Sequence, residues 1–365
     1  MSIRFIHTGD IHLGMSFSSA SFGVSLGLKR RQEIKETFFN ILRECVDNAV
    51  HVLMITGDLF EQDYITLSDL KDVRNQFATM TDVEIFICAG NHDPIINERS
   101  GYNLLKCSPN VHIFGTDIEK ITIEKYNLDI YGFSWCTKEL KSYDFSQLAV
   151  EDSSKFNILM LHGDAYTSSV YLPLDMTELF GKGFDYIALG HIHKPDDEQY
   201  RWAYPGTPEP LDFSETGSHG IIEGIVGEEG LKIQLKPFAK RSFIHKSYDI
   251  NEEMSFEEIR SMIRQDIEND LRPDDMYRIK LTGIRDVDVK LNIEIIKESL
   301  EELVFYAEVY DETFENYDLE RIKSENAGNI IETFIDNMEA KGLEDLQNKD
   351  ALYEGLHLLL KEQVN

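Results

Sequence analysis

The chain is poor in cysteine and has no long apolar run. Its four cysteines, Cys45, Cys88, Cys107 and Cys136, are scattered and form no CxxC pair. This pattern predicts reduced, mostly buried thiols, and therefore a cytoplasmic protein. No window reaches the roughly 18 uninterrupted apolar residues that a membrane helix needs. The first residues show no basic head followed by an apolar stretch, so we expect neither a signal peptide nor a contact with membranes.

Positive charge is also scarce. The sequence holds 36 Lys and Arg against 66 Asp and Glu, which gives a formal net charge of −30. Such a chain is a poor binder of nucleic acid on bulk electrostatics, because phosphates are repelled. Two basic clusters are open to two interpretations, as contacts for a polyanion or as ordinary solvated faces. They comprise Lys29, Arg30 and Arg31 in one and Lys236, Lys240, Arg241 and Lys246 in the other.

The apolar residues that are present predict a globular α/β protein. Hydrophobic residues make up 42% of the 365-residue chain, enough for about two domains. Five short apolar segments each end in a polar cluster: SIRFIHTGDIH, HVLMITGDLF, VEIFICAGNHD, FNILMLHGDA and FDYIALGHIH. Apolar residues at three- and four-residue steps predict helices over 30–50 and 67–80 between the first three. Alternating strands and helices indicate a layered α/β domain.

The character of the sequence changes near residue 240. Segments at about 110–135 predict hairpin-rich strands, and a turn-rich stretch, YPGTPEPLDFSETGSHG, precedes one more strand. Beyond 240 the pattern predicts a helix over 255–270, a strand, a helix over about 292–302, a strand and two further helices. We place a domain boundary near 240 and a subdivision near 320.

The ends of the five predicted strands carry metal-binding side chains. In chain order these are Asp10 and His12, Asp58, Asn91 and His92, His162, and His191 and His193. Ligands of an open α/β sheet bind outside the carboxyl ends of its strands, so these clusters should converge. On an extended segment, the side chains of a DxH or HxH pair should also point to the same side. The glycines at 9, 57, 90 and 190 should let the backbone turn sharply near a metal or phosphate.

These side chains suit a pair of divalent cations. Carboxylate and imidazole ligands accommodate manganese, iron or zinc, and the absence of cysteine argues against a structural zinc site. Two divalent ions with only two carboxylates leave a net positive site, which favours a phosphate and predicts metal-assisted phosphoester hydrolysis. Asp93 and Asp164 are candidates for supporting the ligands by hydrogen bonds. The remaining histidines are interpreted as structural: His7, His51, His112, His219, His245 and His357.

The motifs HTGDIHLG, TGDLFE, GNHD, LHGD and LGHIHKP resemble those of the calcineurin-like metallophosphoesterases. With YPGTPEPLDFSE, they resemble in particular the bacterial DNA-repair exonucleases of the SbcD and YhaO types. The resemblance covers about residues 1–240. It implies a two-sheet metallophosphoesterase sandwich flanked by helices, followed by a smaller α+β capping domain at 241–320 and a C-terminal helical segment at 321–365.

The resemblance also implies a role for each motif. Asp10, His12 and His193 would hold one metal ion, and Asn91, His162 and His191 the other. Asp58 would bridge the two ions, and manganese usually supports activity in this family. His92 would face the scissile phosphate, where it stabilises charge or protonates the leaving oxygen. In archaeal and eukaryotic relatives a histidine follows the GDLF motif, whereas this chain has Glu61, which leaves the role of that position open.

Three functions remain compatible with the sequence. The first is a manganese-dependent DNA exonuclease or endonuclease in DNA repair. The resemblance implies that it works with an SMC-like ATPase and forms a homodimer through its first two helices. The acidic C-terminal helices would then dock on the ATPase or pack on their own domain. The second is a small-molecule phosphodiesterase or protein phosphatase, against which the long C-terminal region counts. The third is a non-catalytic scaffold of an ATPase complex, against which the intact ligand set counts.

Overall fold

The computed structural model describes residues 2–17, 23–96, 100–106, 108–166, 170–197, 201–227 and 229–363. The chain divides into two compact units, Met1–Ser242 and Phe243–Asn365. Among the helices of the described residues, none has the length and apolar character needed to span a bilayer. Cys45 and Cys88 are buried free thiols and Cys136 is an exposed one, while Cys107 lies outside the described residues.

The first unit contains eleven strands and four helices among its described residues. In chain order they are β1 (Ile3–Thr8), α1 (Val24–Asp47), β2 (Val52–Thr56), α2 (Leu67–Thr79), β3 (Glu84–Cys88), α3 (Tyr102–Leu105), β4 (Val111–Ile113), β5 (Glu119–Ile123), β6 (Leu128–Gly132), β7 (Phe156–His162), α4 (Met176–Gly181), β8 (Tyr186–Gly190), β9 (Trp202–Ala203), β10 (Gly220–Gly227) and β11 (Gly230–Pro237).

These strands form two sheets. The first has the order β11-β10-β1-β2-β3-β4, and the second has the order β5-β6-β7-β8-β9. Strands β1 to β4 are parallel to one another, as are β6 to β9, while β10, β11 and β5 run antiparallel to their neighbours. The predicted two-sheet α/β fold is confirmed.

One hydrophobic core joins the two sheets. Phe5, Met54 and Phe86 of the first sheet share a buried cluster with Ile158 and Met160 of the second. The residues of β2 and β8 are buried along their whole length, as expected for parallel strands covered on both faces. A second buried cluster, which includes Trp135, Leu161 and Leu189, packs beside the second sheet.

The predicted helices are present, with shifted bounds. The first begins at Val24 rather than Arg30, and Val46, near its end, is 53% exposed. The second ends at Thr79, and its start is fixed by a capping box between Thr66 and Asp69. Strand β11 had no predicted counterpart, because its mixed apolar and lysine pattern is that of a half-exposed edge strand.

The second unit is an α+β arrangement followed by helices. Its elements are β12 (Phe243–Ile250), α5 (Phe256–Asp270), β13 (Met276–Arg285), α6 (Ile293–Glu298), β14 (Tyr306–Asp311), β15 (Phe314–Glu315), α7 (Leu319–Glu325), α8 (Ile330–Lys341) and α9 (Leu346–Gln363). Strands β12, β13 and β14 form a parallel sheet, with β15 also pairing to β13. Three helices rather than two close the chain, and they bury Ile331, Ile335 and Leu352 among themselves.

Candidate metal centre

The candidate side chains follow the carboxyl ends of five parallel strands. Strands β1, β2 and β3 of the first sheet lead into Asp10 and His12, Asp58, and Asn91 and His92. In the second sheet, β7 ends on His162 and β8 leads into His191 and His193. The sandwich brings both sets of strand ends to one edge. Three overlapping groups each keep their ligand atoms within 4.8 Å of one another: Asp10–His12–His193, Asp10–Asp58–His162 and His12–Glu61–His92.

Two imidazoles face each other in the first group. Nε2 of His12 lies 3.2 Å from Nε2 of His193. Nδ1 of His12 is 2.7 Å from Glu61 Oε1, and Nδ1 of His193 is 2.6 Å from Glu215 Oε1. When each Nδ1–H donates to its carboxylate, both Nε2 atoms carry a lone pair toward the same point. That arrangement suits a cation between the rings.

A further set of side chains, His162 and His191, meets around Asn91. Its Oδ1 is 2.9 Å from Nε2 of His162 and 3.2 Å from Nδ1 of His191. Nδ1 of His162 donates to the Thr56 carbonyl at 2.9 Å, which leaves Nε2 free for a ligand bond. Asp58 Oδ2 lies 3.4 Å from the same Nε2. The resemblance assigned Asn91, His162 and His191 to one ion, and the structure brings these three together.

The backbone at these positions is left-handed, which overturns the extended-segment argument. Asp10, His12, Asp58 and His191 have φ of 49°, 53°, 49° and 103°. Simple alternation along a strand therefore does not apply to DxH or HxH, and His191 and His193 turn to different partners. The loops are held by backbone bonds to the ligands themselves: His191 N donates to Asp10 at 3.0 Å, and His92 N donates to Asp58 Oδ1 at 2.8 Å. Non-glycine residues in this conformation are strained and concentrate at functional sites.

The glycines before the ligands serve close packing more than sharp turning. Only Gly57 has a positive φ, of 93°. A Cβ on Gly90 would lie 2.3 Å from Asp58 Oδ1, and one on Gly190 would lie 1.9 Å from the Thr56 carbonyl oxygen. Neighbouring strand ends thus approach so closely that a methyl group has no room. The predicted reason, a sharp turn, is supported by a positive φ only at Gly57, whereas crowding between the ligand loops explains Gly90 and Gly190.

His92 stands at the rim of the site, with its side chain 44% exposed. Its Nδ1 lies 3.0 Å from the Glu61 carboxylate, which also holds His12. The hydrogen bond that His92 donates to the Glu61 carboxylate raises the pKa of His92, and this effect exceeds the opposing effect of burial. Burial would raise the pKa of Glu61, but His12 and His92 lower it to about 2. Glu61 therefore orients one candidate ligand and the candidate acid together, which gives a structural role to a position that the sequence left open.

Charges and burial also shift the pKa values of the other candidate ligands. Burial raises the pKa of Asp10, against the effect of the nearby His162 and His193. Burial would lower the pKa of His162 and of His193, but the carboxylates of Asp58 and Glu215 raise each to about 9. Because a cation requires neutral imidazoles and ionised carboxylates, metal binding at this site displaces protons.

Sequence reasoning missed Glu215 and Thr56. Glu215 is the last residue of YPGTPEPLDFSE, a segment used only as a mark of resemblance. Its second oxygen accepts from Thr207 Oγ1 at 2.8 Å and from Leu211 N at 2.9 Å, so the whole turn holds the carboxylate in place. An acidic residue ending a rigid turn after HxH was the available signal.

The two aspartates proposed as supports differ in what they contact. Asp93 accepts from Gly90 N at 2.7 Å and Leu59 N at 2.6 Å, and so joins the loops that carry Asn91 and Asp58. Burial raises the pKa of Asp93 to about 6. Asp164 shapes its own loop by accepting from Tyr166 N at 2.8 Å.

The histidines interpreted as structural lie outside the metal-binding groups found in the described residues. His7 is fully buried beneath the site, between Tyr186 OH at 2.8 Å and Leu189 O at 3.1 Å. His112 pairs with Glu84 and stacks on Phe86.

The basic clusters are engaged with carboxylates. Arg30 is fully buried and contacts Glu33 at 2.7 Å and Glu209 at 2.8 Å. Arg241 is also buried and contacts the same Glu33 at 2.6 Å. Arg31, Lys236, Lys240 and Lys246 pair with acidic residues as well. For Arg30 and Arg241 both earlier interpretations, a polyanion contact and a solvated face, are wrong, because these two side chains form a buried ion-pair network.

The sequence profile of the calcineurin-like phosphoesterases matches residues 3–195. The chain therefore belongs to this family of metallophosphoesterases, which use a dimetal site. It is 31% identical to a metallophosphoesterase of Bacillus subtilis named YhaO and described as uncharacterized, over 60% of this chain and 56% of that protein.

Archaeal proteins named DNA double-strand break repair protein Mre11 are similar too. The one from Methanosarcina acetivorans is 27% identical over 78% of this chain and 46% of its own length. The one from Methanopyrus kandleri is 26% identical over 60% and 52%. The match thus spans about half the length of these curated relatives.

The residues present fit the two cations that the family uses. Two ring nitrogens face each other at 3.2 Å, with each opposite nitrogen held by a carboxylate. A set of imidazole, carboxylate and amide oxygen ligands suits manganese, iron or zinc. The assignment of individual ligands to individual ions stays a prediction.

Proposed function

We propose that the protein is a manganese-dependent phosphodiesterase that cleaves DNA. The observation that carries the proposal is the convergence of candidate ligands from five strand ends, with an exposed histidine at the rim. Similarity to proteins named for double-strand break repair supports DNA as the substrate.

The side chains divide the work at this centre. Asp10, His12 and His193 would hold one cation and Asn91, His162 and His191 the other, with Asp58 between them. Bound divalent ions supply an activated water and neutralise the phosphate. His92, whose pKa is raised by its hydrogen bond to Glu61, would donate a proton from Nε2 to the leaving oxygen. Glu215 and the Thr56 carbonyl fix the ring orientations.

The central experiment compares the wild type with His92→Ala. Purified protein with manganese should degrade linear DNA, and the variant should lose at least about 100-fold in rate because a general acid is removed. The variant should retain its bound manganese, since the resemblance assigns His92 no role as a ligand. A variant that cleaves DNA at the wild-type rate would contradict the role of His92.

A second candidate is the hydrolysis of a small phosphodiester. The net charge of −30 and the pairing of the basic clusters favour it, because both weaken the attraction for a long polyanion. Cleavage of a small phosphodiester with DNA left intact would establish this alternative. Binding of stoichiometric manganese with no turnover on either substrate would instead favour the third function, a non-catalytic scaffold of an ATPase complex.

The remaining assignments concern assembly. We propose a capping role for residues 241–320, docking of an SMC-like ATPase on the helices at 321–365, dimerisation through α1 and α2, and a cytoplasmic location. Co-purification with the ATPase, and its loss on removal of α8 and α9, would test the docking.

A further inference from the structure

An exposed aromatic ring lies on the loop that follows the candidate ligand His162. Tyr166 follows His162 by four residues and is 52% exposed. Its ring packs with centroid distances of 5.6 Å to Tyr204 and 6.0 Å to Trp202, and its hydroxyl donates to Asp196. The ring is therefore held in one orientation while much of its surface stays open to solvent.

The supports of this ring belong to two loops that carry candidate ligands. The Tyr204 hydroxyl donates to Gly163 O at 2.7 Å and accepts from Ala165 N at 2.9 Å, directly beyond His162. Asp196 lies three residues beyond His193. Tyr166 thus links the loop that follows His162 to the loop that follows His193.

An exposed cation, Lys194, lies on the loop that carries His193 and Asp196. Lys194 is exposed and forms neither a hydrogen bond nor an ion pair with any residue that the structure describes. It sits between His193 and Asp196, two residues from the carboxylate that holds Tyr166. By contrast, Arg31, Lys236, Lys240 and Lys246 are all paired with acidic residues.

An exposed ring and an exposed cation on two linked loops would suit one nucleotide. An acidic chain gains little from the charge of an extended phosphate backbone. Stacking of a base on an aromatic ring does not depend on net charge and is tolerant of sequence. A base paired in a duplex keeps its faces stacked on its neighbours, so only an unpaired base can use the ring.

We propose that Tyr166 and Lys194 form a subsite for one unpaired nucleotide next to the scissile phosphate. The base stacks on Tyr166, and Lys194 contacts a phosphate of the same strand. The substrate of the centre is then single-stranded DNA or an unpaired end. This inference rests on the proposed function, whose site it extends.

Binding tests the subsite without turnover. An oligothymidylate with one 2-aminopurine is titrated with the His92→Ala protein in manganese, and fluorescence quenching reports stacking. Tyr166→Ala in the same background should weaken binding about 5- to 100-fold and abolish the quenching, while Tyr166→Phe should retain both. Tyr310→Ala, at a tyrosine of the second unit that is 41% exposed, is the matched control and should bind as the parent does.

An abasic oligonucleotide separates the two contacts. It should bind the parent and Tyr166→Ala with equal dissociation constants, because it offers no base to stack. Lys194→Gln should reduce the salt dependence of binding by about one phosphate contact, a slope change of about 0.7 for a single strand. Equal binding of the base-bearing oligonucleotide by the parent and Tyr166→Ala would overturn the subsite.

Hydrolysis of a small phosphodiester by the wild type keeps the two proposals apart. If that hydrolysis occurs but Tyr166→Ala does not weaken oligonucleotide binding, only the subsite fails. If no phosphodiester is hydrolysed in manganese, the proposed function fails, whatever the binding shows. Preference for a blunt duplex over the same single strand would also overturn the inference.

Discussion

Single hydrogen-bond acceptors, two carboxylates and one backbone carbonyl, orient the imidazole rings of this site. Glu61, Glu215 and the Thr56 carbonyl each occupy one ring nitrogen of a histidine, so that the other nitrogen faces the centre. Fixing the tautomer in this way raises ligand basicity and lowers the entropy lost when a cation binds.

Glu215→Gln tests this role. The amide has one acceptor oxygen, so it cannot serve His193, Thr207 and Leu211 together. We expect manganese affinity to fall about 10- to 100-fold, measured by isothermal titration calorimetry. Glu178→Gln, at an exposed residue that pairs with Lys182, is the control and should bind manganese normally. Unchanged affinity in Glu215→Gln would remove Glu215 from the site.

Gly90→Ala tests the crowding between ligand loops. The added methyl would lie 2.3 Å from Asp58 Oδ1 and 2.7 Å from Cε1 of His162, so both ligands must move. We expect at least a tenfold loss of manganese affinity and a fall of about 1–3 kcal/mol in the free energy of unfolding. Gly181→Ala meets no atom within 4 Å and should leave both quantities nearly unchanged. Normal metal binding by Gly90→Ala would show that the loops carrying Asp58 and His162 can move enough to admit the methyl group.

At the scale of elements, a polar seam holds the two sheets in register below the metal centre. His7 of β1 accepts from the Tyr186 hydroxyl of β8 at 2.8 Å and donates through Nε2 to Leu189 O at 3.1 Å. Thr56 of β2 adds a bond to Leu189 O at 3.1 Å. The strands that deliver Asp10, Asp58 and His191 are thus tied together just before their ligands.

The seam predicts a pH dependence of stability. Burial lowers the pKa of His7 from 6.5 to about 3. Between pH 6.5 and about 3, His7 is therefore protonated in the unfolded chain but neutral in the folded chain. The free energy of unfolding should fall by up to about 1.4 kcal/mol per pH unit as pH drops from 6.5 toward 3. Above pH 6.5 His7 contributes no slope.

His7→Gln keeps a donor and an acceptor but does not titrate. Urea denaturation of both proteins across this range should give a shallower pH slope for the variant, after subtraction of their constant difference above pH 6.5. If the free energies of unfolding of both proteins change in parallel with pH, His7 is protonated without loss of stability, and the prediction is wrong.

At the scale of the whole molecule, charge sets how a substrate can be held. The chain carries a net charge of −30, and buried carboxylates neutralise Arg30 and Arg241. Long-range attraction for DNA is therefore weak, and affinity must come from the metal centre and from contacts at its rim.

Salt dependence measures this directly. We expect the logarithm of the DNA association constant to fall with the logarithm of salt concentration with a slope of magnitude about 2 or less, as for one to three phosphate contacts. Fluorescence anisotropy with the non-cleaving His92→Ala protein gives the slope. A slope of magnitude 6 or more on the protein alone, as about seven or more contacts would give, would reveal a basic surface that the structure does not show.

The sequence by itself determined the five strands that lead into the candidate ligands and the types of side chain at their ends. Apolar runs that stop at GD, GNH or GHIH are local features, so five strand ends and the family could be inferred without coordinates. The positions of α2 and α5 followed from local sequence patterns for the same reason.

Only the tertiary structure decided how those side chains meet. The left-handed backbone at Asp10 and His191, the crowding at Gly90, the burial of Arg30, and the support from Glu215 all depend on segments far apart in the chain. Contacts of this kind leave no periodic trace, because each requires two distant segments to pack at a fixed distance. Residue type thus follows from local sequence, whereas the orientation of each ligand follows from the packing of the two sheets.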